Sequence, residues 1–405
     1  MRISPNSFAF TLLIGLMSSL PTFGIDMILP SLTAMGAALD APPSNVGLAM
    51  SVYLLSLGAA LLVYGPSSDR FGRKPIAVFG CVLLIVASVG CAFAQTLPQL
   101  LFFRALQGAG ASGPGMAAVT IVRDLFDGAA ARSRMSSVVF AVNVVPMFAP
   151  TVGAALLVLG GWRIIYLVPV GAGAILLVAL CGFTESAKIS PDNRLRPAKI
   201  ARDYLRVLGH PVCLGNILCN AAAAGAVFAY ITGSSLFFIN ILGLSPAQYG
   251  LIFGASSLAV MAGTVVNKRL DGWGFSPARM IVTGLGLATF AAVLLLIMSL
   301  TGGRSILLVV FVMVGVALSF GLISPNAMTG AMEPVPETAG SASAVLVFVQ
   351  MVAAGASSEL VAWFFDGQSA LSMAVVMVSF CTLAIVSFLL VVFSTARLFP
   401  VPNSQ

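Results

Sequence analysis

The chain has 405 residues, of which 59% are hydrophobic and 8% charged, against about a quarter charged in ordinary soluble domains. With a mean hydropathy of +1.05 it lacks the polar surface to cover a soluble core, which leaves an all-α polytopic membrane protein. The formal net charge of +7 raises nucleic acid as a partner, a reading that the placement of the basic residues removes.

Twelve apolar segments are each long enough to cross a bilayer as a helix: about 8–30, 44–65, 75–95, 97–121, 135–159, 163–183, 211–235, 246–267, 278–299, 305–326, 339–362 and 369–396. The first follows Arg2 and resembles a signal-peptide core, but it is too long for one. It also contains Pro21 and Asp26 and ends in no small-residue cleavage pattern, so it is read as a retained span. The longest polar stretch, 184–210, divides the spans six and six. This predicts an N-terminal six-helix bundle over 1–183, a linker over 184–210 and a C-terminal six-helix bundle over 211–405. Within the linker, "AKIARDYLRVL" has the pattern of a short basic helix on the membrane surface. "GPSSDRFGRK" after the second span is echoed by "GTVVNKRLDGWG" after the eighth, half a chain later. Such a parallel repeat points to a transporter.

Basic residues fix the expected orientation. With the N- and C-termini cytoplasmic, the cytoplasmic segments hold 17 of the 20 basic residues; Arg163 and Arg304 lie outside and Arg104 lies within a span. Cytoplasmic loops carry this excess, so the net charge anchors the chain against anionic lipid and needs no nucleic acid.

Charge is most crowded in "GPSSDRFGRKP", 65–75, where Asp69, Arg70, Arg73 and Lys74 fall within six positions. Gly65 and Gly72 are expected to permit a tight turn between spans. Asp69 and Arg73 are spaced to pair across one helical turn, and Asp124 at the inner end of the fourth span is placed to extend the network.

These residues carry a family resemblance. The stretch 65–75 resembles the Gly-x-x-x-Asp-Arg-x-Gly-Arg-Arg signature of the major facilitator superfamily, and "FFRALQGAGAS" (102–112) resembles that superfamily's fourth-span Arg motif. "DMILP" (26–30), "VRD" (122–124), "PMFAPTVG" (146–153), "GWRIIY" (161–166), "SPNAMTGAM" (324–332) and "AGSASA" (339–344) together resemble the bicyclomycin/chloramphenicol-resistance (Bcr/CflA) branch of drug:proton antiporters. The resemblance spans nearly the whole chain. It implies twelve transmembrane helices in the two-bundle fold of the superfamily, a bacterial inner-membrane location and proton-coupled multidrug efflux underlying antibiotic resistance. It also implies that Asp69 caps the start of the eleventh span near Gly340 and Ser341, making the motif Gly65, Asp69, Arg70, Gly72, Arg73 and Asp124 a cytoplasmic gate.

Asp26 lies in the outer third of the first span. An acid in hydrocarbon costs about 2.5–3.5 kcal/mol, so it should face the protein interior, where desolvation disfavours its charged form. Proton coupling needs such a carboxyl; the alternative is a helix-end acid reaching interfacial water. Arg104, at a similar depth, needs a partner, for which Asp26, Gln107 and a network of backbone carbonyls and water are candidates. The resemblance gives Arg104 a role in protonation coupling; a structural hydrogen-bonding hub is the other reading. Glu359, towards the outer end of the eleventh span, is read as a solvated helix end ahead of a second protonation site. Tyr53, Gln107, Asn143, Asn220, Tyr230, Tyr249, Asn326 and Gln350 are the polar residues at span depth that suit an amphipathic substrate cavity, although each alone also suits a helix–helix hydrogen bond. Pro146 and Pro150, with Gly153 on nearly the same face, bend the fifth span. They resemble the family's antiporter motif, with Ala149 and Ala154 replacing two of its glycines.

Other signals carry little. "GAGASG" (108–113) matches a dinucleotide fingerprint but sits in an apolar span, where close helix packing explains it. The six cysteines show no metal or disulfide spacing, and the single histidine, His210, leaves no metal site or catalytic triad. The chain is therefore read as no enzyme, needing no cofactor and no metal. Its expected partners are a small drug or metabolite, protons and the lipid bilayer, and it is expected to act as a monomer. The alternatives are a symporter or uniporter for a sugar or other small solute, for which the polar complement is thin, and a channel or membrane sensor.

Overall fold

The computed structural model describes residues 4, 5, 7–187 and 197–398, without the side chains of residues 43, 44, 129, 132, 136, 139, 143 and 393–398. Arg2, Lys188, Arg194 and Arg196, with the middle of the predicted linker, lie outside the described residues, as do the side chains of Arg132, Asn143 and Arg397. Among the described residues every regular element is helical.

Helix α1 (Phe8–Asp26) starts at Ser7, whose hydroxyl accepts the Phe10 N–H, an N-cap that satisfies one of the helix's orphan donors. The first span does not run on as one helix. It stops at Asp26, passes through a 3₁₀ turn at Leu29–Ser31 around Pro30, and resumes as α2 (Leu32–Ala38). Next come α3 (Pro43–Phe71), α4 (Arg73–Phe93), α5 (Leu97–Leu125), α6 (Gly128–Gly160), the short α7 (Trp162–Ile165) and α8 (Leu167–Cys181). The predicted surface helix is α9 (Pro197–Gly209), one residue before α10 (Pro211–Ser235). A π-helical turn, Leu236–Ile241, extends α10, and α11 (Pro246–Gly272), α12 (Pro277–Leu300), α13 (Ile306–Met332), α14 (Ala339–Trp363) and α15 (Leu371–Leu398) complete the chain. Ser276 and Ser305 cap α12 and α13 by accepting the N–H three residues on.

Among the described residues, eleven helical stretches are long and apolar enough to cross a membrane. The remaining expected span is α5, whose 29 residues suffice in length at about 1.5 Å rise per residue. Arg104, Gln107 and a run of small residues dilute its hydropathy, and the structure buries these against α3 and α4. Glycines make that packing possible. A Cβ on Gly108 would lie 2.2 Å from the Tyr53 carbonyl oxygen of α3, and one on Gly110 would lie 2.4 Å from the Leu84 nitrogen of α4. The nucleotide-like glycine pattern is thus a helix-packing seam.

The chain divides by packing into two compact units: Met1–Leu195 with Ser235–Leu258 and Ala362–Gly367, and Arg196–Ser234 with Ala259–Val361 and Gln368–Gln405. In the first unit α1 packs on α5 and α6, and α4 on α8. In the second, Cys219, Ala222 and Ala223 of α10 meet Ile281 and Leu285 of α12, Ile323 and Ala327 of α13, and Ala384 and Phe388 of α15 in an apolar core.

Candidate functional site

The first unit buries a polar centre at the level where α1 breaks. Arg104 on α5 is fully buried, and its guanidinium donates to three acceptors: Ala49 O on α3 at 2.9 Å, Gly24 O on α1 at 2.9 Å and Gln107 Oε1 at 2.7 Å. Gln107, also fully buried, passes the network on by donating from Nε2 to Ser88 Oγ of α4 at 2.9 Å. The Arg104 guanidinium lies 4.2 Å from the centre of the Tyr53 ring, a cation–π geometry. Tyr53 in turn donates its hydroxyl to Pro21 O at 2.8 Å.

Asp26 is buried two residues beyond the Gly24 carbonyl that holds Arg104. Among the described residues no ion pair joins Asp26 to Arg104; the guanidinium is held by backbone carbonyls, Gln107 and the Tyr53 ring. Of the partners considered from sequence, the carbonyl network and Gln107 are the ones observed. Tyr53 and Gln107 belong to this centre.

The proline-bearing stretch of α6 meets the same break. A Cβ on Gly153 would lie 2.1 Å from Met27 O, so α6 touches the backbone immediately after Asp26. Pro150 is buried and Pro146 half-buried. On its other side this stretch abuts α11, where Cβ atoms on Gly250 and Gly254 would meet Thr151 Cα at 2.9 Å and Met147 O at 2.3 Å. The broken backbone of the first span finds side-chain donors. Ser31 Oγ donates to Ile28 O, and Ser235 Oγ donates to Leu29 O at 2.9 Å. Thr33 Oγ1 and Asn240 Oδ1 lie 2.9 Å apart. Tyr249 is buried among the Phe238 and Phe253 rings.

At the other end of the first unit, Arg73 at the start of α4 joins Asp69 near the end of α3 through Nη1 and Asp124 at the end of α5 through Nε, the latter at 2.9 Å; Nη1 also donates to Ser68 Oγ at 2.6 Å. Arg70 lies over the Phe71 ring. The turn here departs from expectation. Gly65 lies inside the continuous helix α3 with open space where a Cβ would stand, and Gly72 alone turns the chain, with φ of +103°. Pro66 lies inside α3, which continues through it without interruption.

Glu185, which sequence reasoning missed, closes this end. One carboxylate oxygen accepts the Arg73 N–H and the other the Lys74 N–H, and the Lys74 ammonium donates to Phe183 O at 2.8 Å. Its only signal in the sequence was an acid directly after the sixth apolar segment.

In the second unit the polar residues pair between helices. Asn220 Nδ2 on α10 donates to Gln350 Oε1 on α14 at 3.0 Å, and Asn220 Oδ1 is buried without a partner. Asn326 Nδ2 on α13 donates to Asn267 Oδ1 on α11 at 2.6 Å. Thr232 and Ser358 bond across α10 and α14, and Ser357 donates to Gly225 O. Tyr230 is buried in the same unit. Glu359 is half-buried, with one carboxylate oxygen buried and unpartnered.

Sequence comparison agrees with this architecture. Residues 12–358 match the model of the Major Facilitator Superfamily, and the chain belongs to that superfamily. It is 28% identical over 373 residues to the bicyclomycin resistance protein homolog of Haemophilus influenzae, covering 89% of this chain and 91% of that protein. It is also 28% identical over 330 residues to the multidrug resistance protein MdtL of Escherichia coli, covering 81% and 82%. Among solved structures it superimposes on the D-xylose-proton symporter with a TM-score of 0.72 at 19% identity, covering 93% of this chain and 97% of that one. A bacterial homolog of the human lysosomal transporter Spinster, in an inward-facing and occupied conformation, gives 0.72 at 14% identity, covering 98% of each chain. The chain is thus a transporter of this superfamily and a multi-pass bacterial inner-membrane protein, not an enzyme. The branch suggested by the short motifs agrees with the relatives' names.

Proposed function

We propose that the chain is a proton-coupled antiporter that expels small, largely apolar drugs or metabolites from the cytoplasm by alternating access, with both termini cytoplasmic and the monomer as the working unit. The observation that carries the reading is Asp26: a buried carboxyl where the first span breaks, next to the carbonyl that anchors Arg104. A carboxyl there can hold a proton as a neutral group and lose it when a cationic substrate or water arrives. Arg104 takes the part of a positioning residue, fixing α1, α3 and α5 around it. Asn220, Gln350, Asn326, Tyr230 and Tyr249 are the polar groups assigned to the substrate walls, and the relatives' resistance names support a drug-like cargo.

The driving force is sufficient. One proton exchanged supplies about 1.4 kcal/mol per pH unit, and each net charge moved supplies about 2.3 kcal/mol per 100 mV.

The test is proton-driven uptake of bicyclomycin and a panel of apolar antibiotics into everted membrane vesicles. The expected result is uptake abolished by a protonophore and absent in Asp26→Asn, with that variant inserted at normal levels. Undiminished, protonophore-sensitive uptake in Asp26→Asn overturns the assignment. Protonophore-resistant uptake overturns proton coupling itself.

A further inference from the structure

We propose that α9 is an anionic-lipid-binding helix, seated in the headgroup layer of the cytoplasmic leaflet and tethered to the loop that leads into α14. The inference does not depend on which substrate is carried.

The geometry of the helix carries it. α9 ends at Gly209 and the spanning helix α10 starts at Pro211, so a single residue, His210, separates α9 from a helix that enters the bilayer. His210 fastens the junction: its carbonyl accepts the Leu214 N–H at 2.9 Å and its own N–H donates to Val207 O. The end of α9 is therefore held at the start of the helix that carries the chain into the bilayer.

Its side chains sort into two faces. Lys199, Arg202 and Arg206 recur at three- and four-residue spacing and are all exposed, forming one basic stripe, with Asp203 as the one acid of the helix. The opposite side is apolar and only partly covered by protein. Val207 is buried and Ile200 half-buried, whereas Leu205 is 69% and Leu208 38% exposed. A helix with a half-covered apolar face beside a basic stripe fits an interface that is hydrocarbon on one side and phosphate on the other. Neutral headgroups would satisfy the leucines but not three cations on one stripe; anionic phospholipid satisfies both.

A tether runs from this helix to the loop ahead of α14 in the same unit. Arg206 Nη1 lies 3.4 Å from Glu337 Oε2, in the 3₁₀ turn Pro336–Thr338 immediately before α14. Both side chains are exposed, so the pair is weak by itself. A lipid phosphate competing for Arg206 would release Glu337, which links the leaflet's composition to the loop ahead of α14.

The experiment is hydrogen exchange on the full-length protein in vesicles of phosphatidylcholine alone, and in vesicles with about a third phosphatidylglycerol, a fraction that gives the surface a substantial negative potential. The amides of α9 should exchange several-fold more slowly in the anionic vesicles. The triple variant Lys199→Gln, Arg202→Gln, Arg206→Gln should lose that difference, and Leu205→Glu should weaken protection in both vesicles. Equal α9 exchange in the two compositions, or a triple variant that keeps the difference, overturns the proposal. Protection gained from inorganic phosphate added to phosphatidylcholine vesicles also overturns it, because the helix would then be a soluble-anion site.

Discussion

The two carboxylate oxygens of Glu185 each accept a backbone N–H at the start of α4, from Arg73 at 2.9 Å and from Lys74 at 3.0 Å. The same carboxylate accepts the N–H groups of Ser186 and Ala187, so it caps α4 while folding the chain that leaves α8 around itself. This is also the reason for glycine at 72: besides its positive φ, a Cβ there would stand 2.4 Å from the Glu185 carboxylate. An acceptor removed from a helix N-terminus costs about 1 kcal/mol, and a negative charge there adds a few tenths more. Glu185→Ala should therefore lower the melting temperature in detergent and speed hydrogen exchange at the Arg73 and Lys74 amides, with Glu185→Gln intermediate. Unchanged exchange at those two amides in the alanine variant would show that the cap does not hold α4.

Arg73 is the point where three elements meet, and its partners are not equivalent. Asp69 is 57% exposed and Asp124 24%, so the Asp124 bond is less screened by water. Asp124→Asn should cost more stability and more transport than Asp69→Asn, with the Asp69 effect within about 0.5 kcal/mol. Arg73→Lys keeps the charge but cannot reach Asp124, Asp69 and Ser68 with one ammonium, and should behave like the loss of Asp124. Transport rates of the three variants at low and high salt give the order.

Gly24 and Tyr53 are fitted to one another. A Cβ on Gly24 would fall 2.5 Å from the Tyr53 ring and hydroxyl, while the Gly24 carbonyl and the Tyr53 ring both hold Arg104. Gly24→Ala should cost about 1–3 kcal/mol by overpacking and disturb the Arg104 seat. Shortening the ring in Gly24→Ala/Tyr53→Leu should recover part of that loss. A double-mutant cycle on melting temperature reads the coupling, and a cycle with additive effects would mean that the two residues do not share this space.

The fold was legible because a bilayer leaves a chain few options: twelve segments of spanning length, a basic bias on alternate loops and a charged motif between the second and third. What hydropathy cannot register is a helix whose polar groups are buried by protein. This is why α5 is the weakest span by composition and yet carries Arg104. The break after Asp26 was foreshadowed only by Pro30, because an apolar run reads the same whether its helix is continuous or interrupted. For the site, the Asp69–Arg73 pair was legible from its four-residue spacing, although it forms across the Gly72 turn between α3 and α4 and not within one helical turn. Glu185 was not, because it reaches α4 across 112 residues of chain. Sequence spacing also treated Gly65 and Gly72 alike, whereas backbone conformation separates them.

That separation gives a paired prediction on glycines. A Cβ on Gly153 would lie 2.1 Å from Met27 O and 3.0 Å from Met27 C. The obstacle is backbone, so no rotamer change relieves it; α6 must move away from α1 at the residue following Asp26. Apart from its chain neighbours, a Cβ on Gly65 meets nothing within 4 Å, and Gly65 lies within helix α3 directly before Pro66. Gly153→Ala should therefore destabilise by more than 1 kcal/mol and impair drug resistance. Gly65→Ala should change stability by no more than about 1 kcal/mol, because the backbone freedom that alanine saves in a helix interior is offset by its Cβ against the Pro66 ring, and should leave resistance intact if the residue serves only the helix. Thermal unfolding of both variants, together with resistance of a pump-deficient host expressing them, separates the cases. A Gly153→Ala protein as stable and as active as the parent would mean that α6 does not press on the Asp26 break. A Gly65→Ala protein that is stable but inactive would place Gly65 in a moving contact of the transport cycle.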